Sequence, residues 1–207
     1  MTKIYYVLQS SVKNLVRTEG IMSTSVLSLF VFIVTFFSFN LFLFFSHLHK
    51  QMLITLEQET DFISLQMGTT SVMAMLFFKI GALVVTILLM MLAVGNIKRS
   101  FNQILLSQQR DYEIMFLLGG SLRSLNLFNT VQVEIFGIIS MLIGVLIGKE
   151  IFYASVIKTI QIGIVSEDVN SFHGNVLLTI IIMTLVLIYL FMSTFFATAK
   201  KLKGVVN

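Results

Sequence analysis

Four long apolar stretches constrain this sequence more than any other feature. They cover residues 21–45, 72–95, 125–148 and 176–199. About 20 apolar residues in an α-helix cross the hydrocarbon core of a bilayer, so each stretch is long enough to span it. Hydrophobic residues make up 57% of the chain and charged residues only 12%, a composition that a water-soluble core cannot bury. The sequence therefore predicts an all-α integral membrane protein with four transmembrane helices.

The positions of the basic residues predict how the chain crosses the membrane. Lysine and arginine are retained on the cytoplasmic side of transmembrane helices. Most of the 14 basic residues precede the first stretch, lie between the second and third, or follow the fourth: Lys3, Lys13, Arg17, Lys98, Arg99, Arg110, Arg123, Lys200, Lys201 and Lys203. We therefore expect both termini in the cytoplasm, and segments 46–71 and 149–175 outside. The net charge of +4 reports this topology, and no nucleic-acid partner is expected.

Several classes of function are excluded by what the sequence lacks. It has no cysteine, so it forms no disulfide, thiolate metal site or cysteine nucleophile. It also has no phosphate-binding GxxxxGK[ST] loop, no HExxH motif and no GxSxG elbow. The chain is therefore predicted not to be an enzyme and to hold no cofactor of its own, so energy must come from a partner or an ion gradient. The first stretch is too long for the core of a cleavable signal peptide.

Two segments predicted on the cytoplasmic side have helical patterns. Residues 1–20 place Ile4, Leu8, Val12 and Leu15 on one stripe, which predicts an amphipathic helix in the membrane interface, either a basic anchor or a coupling element. In segment 96–124 apolar residues continue the spacing of the second stretch, so that helix is expected to project as a stalk. A basic tail, 200–207, follows the fourth stretch.

The segment between the second and third stretches carries a recognisable motif. Residues 108–121 read QQRDYEIMFLLGGS, and the stretch that follows contains Gly137, Gly144 and Gly148. This resembles the FtsX/MacB-type permeases of ABC transporters, whose loop at this place reads roughly R-x-x-E-I-x-x-x-x-x-x-G-A. This chain departs from the family pattern at two positions of the motif. It has Asp111 where the family has glutamate, and Gln108 where the family has arginine. A further family glutamate, early in the third helix, falls on Gln132, two residues before Glu134.

The resemblance implies one FtsX-like permease domain over residues 1–207, in a bacterial cell membrane. The permease would form a dimer with a second, identical or different, permease subunit and dock on two cytoplasmic ATP-binding subunits, which hold the ATP and magnesium. The loop would be the coupling helix, through residues with apolar or charged side chains and the glycine that ends them: Arg110, Asp111, Glu113, Ile114, Met115, Leu117, Leu118 and Gly119. The alternative is that this segment packs against its own helix bundle.

The short predicted outer segments narrow the expected function. Members of that family usually carry a folded domain in the first outer segment, and residues 46–71 leave no room for one. We therefore expect export or extraction of a hydrophobic or membrane-active molecule, such as a peptide or a lipid. The alternatives are an FtsX-like mechanotransmitter that activates a cell-wall enzyme, and a non-transporting immunity or scaffold protein.

Polar and small residues within the apolar stretches are the remaining candidates for functional or helix-packing positions. Lys79 can snorkel, pair with Glu150 or contact substrate, and Glu134 is either functional or simply hydrated. Asn40 can hydrogen-bond between helices. Three small residues recur every four positions and predict close helix packing: Ser140, Gly144 and Gly148. The outer histidines His47, His49 and His173 offer no convincing metal-ligand spacing, so no metal site is predicted.

Overall fold

The computed structural model describes residues 21–58, 62–108, 110, 114, 122–161 and 175–206. These residues form four long helices and no strand. They are α1 (Ile21–Gln58), α2 (Phe62–Ser107), α3 (Leu122–Gln161) and α4 (Val176–Val206). Each helix is long and apolar enough to cross a membrane. The predicted all-helical membrane protein with four spanning helices is therefore confirmed, while the interfacial helix predicted over residues 1–20 lies outside the described residues.

The helices extend well past the apolar stretches that predicted them. Helix α1 begins at Ile21, as expected, but continues to Gln58, and α2 begins as early as Phe62. Most of the predicted outer segment 46–71 is thus helical. Helix α3 runs on to Gln161 and α2 to Ser107, beyond the ends of their apolar stretches. The sequence has no proline, so no residue in these extensions lacks the N–H that a helix needs.

The chain divides into two compact units, and every helix contributes a segment to each. Unit 1 comprises Met1–Phe32, Met91–Gly144 and Ile182–Asn207. Unit 2 comprises Ile33–Met90 and Val145–Ile181.

In unit 2, α1 contacts each of the other three helices. Its Ser38 hydroxyl lies 2.9 Å from that of Thr86 on α2. Its Phe37 ring packs edge-on against Phe152 of α3, with the ring centroids 6.0 Å apart. Its Asn40 side chain donates a hydrogen bond to the Thr179 hydroxyl of α4 over 3.3 Å. Helix α1 is therefore the element on which unit 2 is assembled.

Gly148 sets the distance between α3 and α1 in unit 2. A Cβ atom at this position would lie 3.0 Å from the Phe36 Cβ and 3.2 Å from the Ile33 carbonyl oxygen. Both are closer than ordinary van der Waals contacts, and neither atom can rotate away. Any side chain here would push the two helices apart.

The start of α4 is fixed by a local cap. The Asn175 side-chain oxygen accepts a hydrogen bond of 3.0 Å from the Leu178 backbone N–H, as asparagine does before a helix. The Thr179 hydroxyl donates to the Asn175 carbonyl over 3.0 Å. Because Thr179 also accepts the bond from Asn40, the cap places the first turn of α4 against α1.

The core of unit 1 is built from apolar side chains of all four helices, with α3 closely packed. The fully or almost fully buried members are Val31, Phe32, Ala93, Ile97, Ile104, Val133, Phe136, Met141, Met183, Leu187 and Leu190. Gly137 of α3 lets Leu187 approach, since a Cβ there would lie 3.0 Å from the Leu187 Cδ2 atom. That neighbour is the end of a flexible side chain, so the contact is softer than the one at Gly148.

Helix α2 packs through a single stripe and leaves the rest of its circumference open. The buried residues of the stripe are Thr86, Ala93, Ile97, Ser100, Ile104 and Gln108. Only 6% of the residues in its most apolar 18-residue stretch are buried, against 44% in α1 and 50% in α3. In the part of the chain that the structure describes, a Cβ atom at Gly81 or Gly95 would meet nothing within 4 Å. Most of the α2 surface is therefore free to face lipid or another subunit.

Candidate functional site

Buried polar side chains are concentrated in unit 1. They come from all four helices: Thr24, Ser28, Ser100, Gln108, Asn126, Asn129, Thr130, Gln132, Ser140 and Thr194. Polar groups inside a bilayer are costly unless they find hydrogen-bond partners, so they mark helix contacts or functional positions. A polar side chain whose hydrogen bonds are met within the chain marks a helix contact, whereas one without partners is a candidate functional position.

One polar contact in unit 1 joins α1 to α2. The Asn96 side-chain nitrogen donates to the Ser28 hydroxyl over 2.6 Å and to the Thr24 carbonyl over 3.3 Å. The Ser100 hydroxyl donates to the Asn96 carbonyl one turn earlier, over 3.0 Å. These donors are satisfied within the chain, so this contact is structural.

A second group of amides lies on α3 and is only partly satisfied. Asn126, Asn129 and Gln132 follow one another at intervals of three residues, and they are 3%, 1% and 0% exposed. We call these three residues the amide ridge. The Asn126 side-chain nitrogen donates to the Phe195 carbonyl of α4 over 3.1 Å. Among the residues that the structure describes, neither polar atom of the Asn129 or Gln132 side chain has a partner, nor has the Asn126 Oδ1.

The amide ridge was missed at the level of the sequence. Of its three residues, the sequence pattern points only to Gln132, which matches the position of a glutamate in FtsX/MacB-type permeases. The signal available was the three-residue spacing, since a helix places residues i and i+3 on adjacent parts of its surface. Whether such a face is turned inward or toward lipid depends on how the helices pack, which is a tertiary property.

Two lysines lie over tyrosine rings. The Lys98 nitrogen on α2 is 5.6 Å from the centre of the Tyr189 ring on α4, within unit 1. In unit 2 the Lys149 nitrogen is 5.7 Å from the centre of the Tyr153 ring, one turn later on α3. Both are cation–π distances, and tyrosine and lysine are residues that anchor helices at membrane interfaces.

The predicted intramembrane residues occupy different environments. Asn40 is fully buried, and its nitrogen donates to the Phe36 carbonyl over 2.9 Å as well as to Thr179. Lys79 and Glu134 are half-buried. Within the described part of the chain neither forms an ion pair, so the pairing of Lys79 with Glu150 is not observed. Ser140 and Gly144 are buried on α3, as is Gly148.

Most of the predicted coupling segment lies outside the described residues. This applies to Asp111, Glu113, Met115, Leu117, Leu118 and Gly119. The two described members, Arg110 and Ile114, are both exposed, and so is Leu106 near the end of α2. Elsewhere, no cluster of three or more His, Cys, Asp or Glu side chains that could hold a metal ion occurs among the described residues. His173 lies outside them.

Comparison of this chain with family models, with curated proteins and with solved structures gives no match.

Proposed function

We propose that this chain is the transmembrane permease subunit of an ABC transporter of the FtsX/MacB type, in a bacterial cell membrane. The observation that carries the proposal is the placement of the motif in residues 108–121. It follows directly on the end of α2 at Ser107 and precedes α3 at Leu122. It thus lies between the second and third spanning helices, where these permeases carry their coupling helix.

The exposed residues around the end of α2 support a protein partner there. Leu106 is 69% exposed and Ile114 is 48% exposed, although both are large and apolar. Arg110 between them is exposed and charged. Apolar groups with a neighbouring charge are typical of a docking surface, since burial of the former gives affinity and the latter sets orientation. The proposed partner is the cytoplasmic ATPase, which supplies ATP hydrolysis that this chain lacks.

The connection between α1 and α2 favours a substrate that arrives through the membrane. Helix α1 ends at Gln58 and α2 begins at Phe62, so only residues 59–61 separate them. Three residues cannot form a folded outer domain of the kind that FtsX/MacB-type permeases usually carry, and such a domain would capture a soluble protein. The proposed substrate is therefore a hydrophobic or membrane-active molecule, such as a peptide or a lipid.

The open surface of α2 is the proposed contact with the second permease subunit, which we take to be a second copy of this chain. Glycine inside a helix costs about 1 kcal/mol relative to alanine. Among the described residues, Gly81 and Gly95 have no packing neighbour that would explain them. They are 14 residues, or nearly four turns, apart and so lie on one face, where small residues allow two helix backbones to approach closely.

Co-purification from the native membrane tests the coupling assignment. The tagged full-length chain is extracted in mild detergent, and co-purifying proteins are identified and assayed for ATP hydrolysis. We expect a protein with ATP-binding cassette motifs, and we expect Ile114→Asp to lose it. Thr55→Asp is the matched control, because Thr55 is also exposed but lies on the side predicted to be outside. Retention of the same ATPase by the Ile114→Asp variant would rule out docking at this surface.

A further inference from the structure

The amide ridge contains more unsatisfied hydrogen-bonding capacity than the described residues can meet. Asn129 and Gln132 together present two carbonyl oxygens and two amide nitrogens without a partner, and Asn126 adds one oxygen. Each of these residues is at least nine-tenths buried. An unpaired buried polar group destabilises a protein. Five such atoms on one helix face require a partner that is not a side chain of the described residues.

Three other hydroxyl groups of unit 1 do not donate to the ridge oxygens. The Thr130 hydroxyl donates to the Asn126 carbonyl over 2.9 Å, and that of Thr194 donates to the Leu190 carbonyl over 2.9 Å. The Ser100 hydroxyl is likewise directed at its own helix backbone. Their protons are used locally, so they are not available to the ridge oxygens.

The unpaired atoms also define what kind of group can bind to the amide ridge. In both Asn129 and Gln132 the donor and the acceptor are unpaired. A metal cation would satisfy only the oxygens, and an anion would satisfy only the nitrogens. The nearest ionisable residue in sequence, Glu134, is two positions from Gln132, and residues so spaced do not share a helix face. The matching group is therefore neutral, and it both donates and accepts hydrogen bonds.

We propose that the amide ridge is a binding site for ordered water inside unit 1. Water is the smallest neutral group with both functions, and it needs little room. A buried water makes about three hydrogen bonds, so about two molecules match the five unpaired atoms. Unit 1 would then hold a hydrated polar site within the membrane-spanning helices, in contrast to the apolar residues next to it on α3, Val133 and Phe136. This proposal does not depend on the assignment to ABC transporters.

Asn40 provides an internal control for an NMR test of this water site. It is as deeply buried as Asn129, but its side-chain nitrogen already donates to two protein oxygens. The full-length chain, labelled with ¹⁵N at asparagine and glutamine side chains, is reconstituted in lipid bilayers. Magnetisation transfer from water to the side-chain NH₂ groups, and their exchange in D₂O, are then measured by solid-state NMR. The signals are assigned by their loss in Asn40→Leu, Asn129→Leu and Gln132→Met.

We expect strong water transfer at Asn129 and Gln132, with exchange at least about tenfold faster than at Asn40, because the Asn40 NH₂ group is bonded to protein oxygens whereas the ridge NH₂ groups are not. If the NH₂ protons of Asn129 and Gln132 are as protected as those of Asn40, the ridge binds no water and the proposal is wrong. Equal and rapid exchange at all three positions would also overturn it, because water would then enter the helices generally rather than at a site.

Discussion

At the scale of single residues, Gly148 shows how one missing side chain determines helix packing. We predict that Gly148→Ala destabilises the chain by about 1–3 kcal/mol, the usual cost of forcing extra atoms into a packed core. The added Cβ would meet the Phe36 Cβ and the Ile33 carbonyl, which cannot move independently of α1. Thermal unfolding of the purified protein in detergent measures the effect as a lower midpoint.

Gly137→Ala is the matched control for that substitution. It lies on the same helix and its added Cβ would also have a neighbour at 3.0 Å, but this neighbour is the tip of the Leu187 side chain, which can rotate. Its midpoint should fall clearly less. If the two variants unfold at the same temperature, the contact with backbone and Cβ atoms is not what makes Gly148 necessary.

Two buried asparagines are predicted to respond differently to the same substitution. Asn40→Leu removes the hydrogen bond to Thr179 that holds α4 to α1, and it should cost about 0.5–1.5 kcal/mol. Asn129→Leu removes an amide whose only proposed partner is water, so no protein group in the described chain loses a direct hydrogen bond, and stability should fall less than in Asn40→Leu. Thermal unfolding of both variants measures the difference. A larger loss for Asn129→Leu would mean that its amide has a protein partner.

At the scale of the helices, the sequence predicted where each helix lies in the chain better than how far it extends. The starts of α1 and α4 coincide with their apolar stretches, at Ile21 and Val176. Helices α2 and α3 begin before their stretches, and all four helices end after theirs, because loss of apolar character marks the edge of the hydrocarbon and not the end of a helix. Nothing in residues 46–58 interrupts the backbone hydrogen bonds of α1. The amide ridge could not be predicted, since burial of Asn129 depends on helices remote in sequence.

The open face of α2 leads to a prediction about its neighbours. The chain has no cysteine, so single-cysteine variants need no altered background. We expect Gly81→Cys and Gly95→Cys to form disulfide-linked dimers in native membranes under mild oxidation, because the two copies of α2 approach at these positions. Leu146→Cys, equally accessible on α3, should not. Absence of dimers from both glycine positions would mean that this face of α2 is covered by lipid.

At the scale of the whole molecule, most of the described residues belong to four helices long and apolar enough to cross a membrane, and α2 leads directly into the motif at residues 108–121. Helix α2 is continuous from Phe62 to Ser107, without a proline or an interruption near its end. An unbroken helix is stiff, so movement of the proposed ATPase partner at the proposed coupling segment would be passed along α2 as rigid-body motion. Energy coupling should therefore depend on the helicity of the last turns of α2 more than on their side chains.

This leads to a test that separates docking from transmission. We predict that the double variant Arg99→Gly and Asn102→Gly, at exposed positions outside the proposed docking surface, still co-purifies with the ATPase but loses most ATP-dependent efflux from vesicles, because each glycine weakens the helix by about 1 kcal/mol. The double variant Arg99→Ala and Asn102→Ala removes the same side chains while preserving the helix, and it should retain efflux. Equal efflux from the glycine and alanine variants would show that a stiff α2 is not required. Loss of ATPase binding by both would instead assign these two side chains to the docking surface itself.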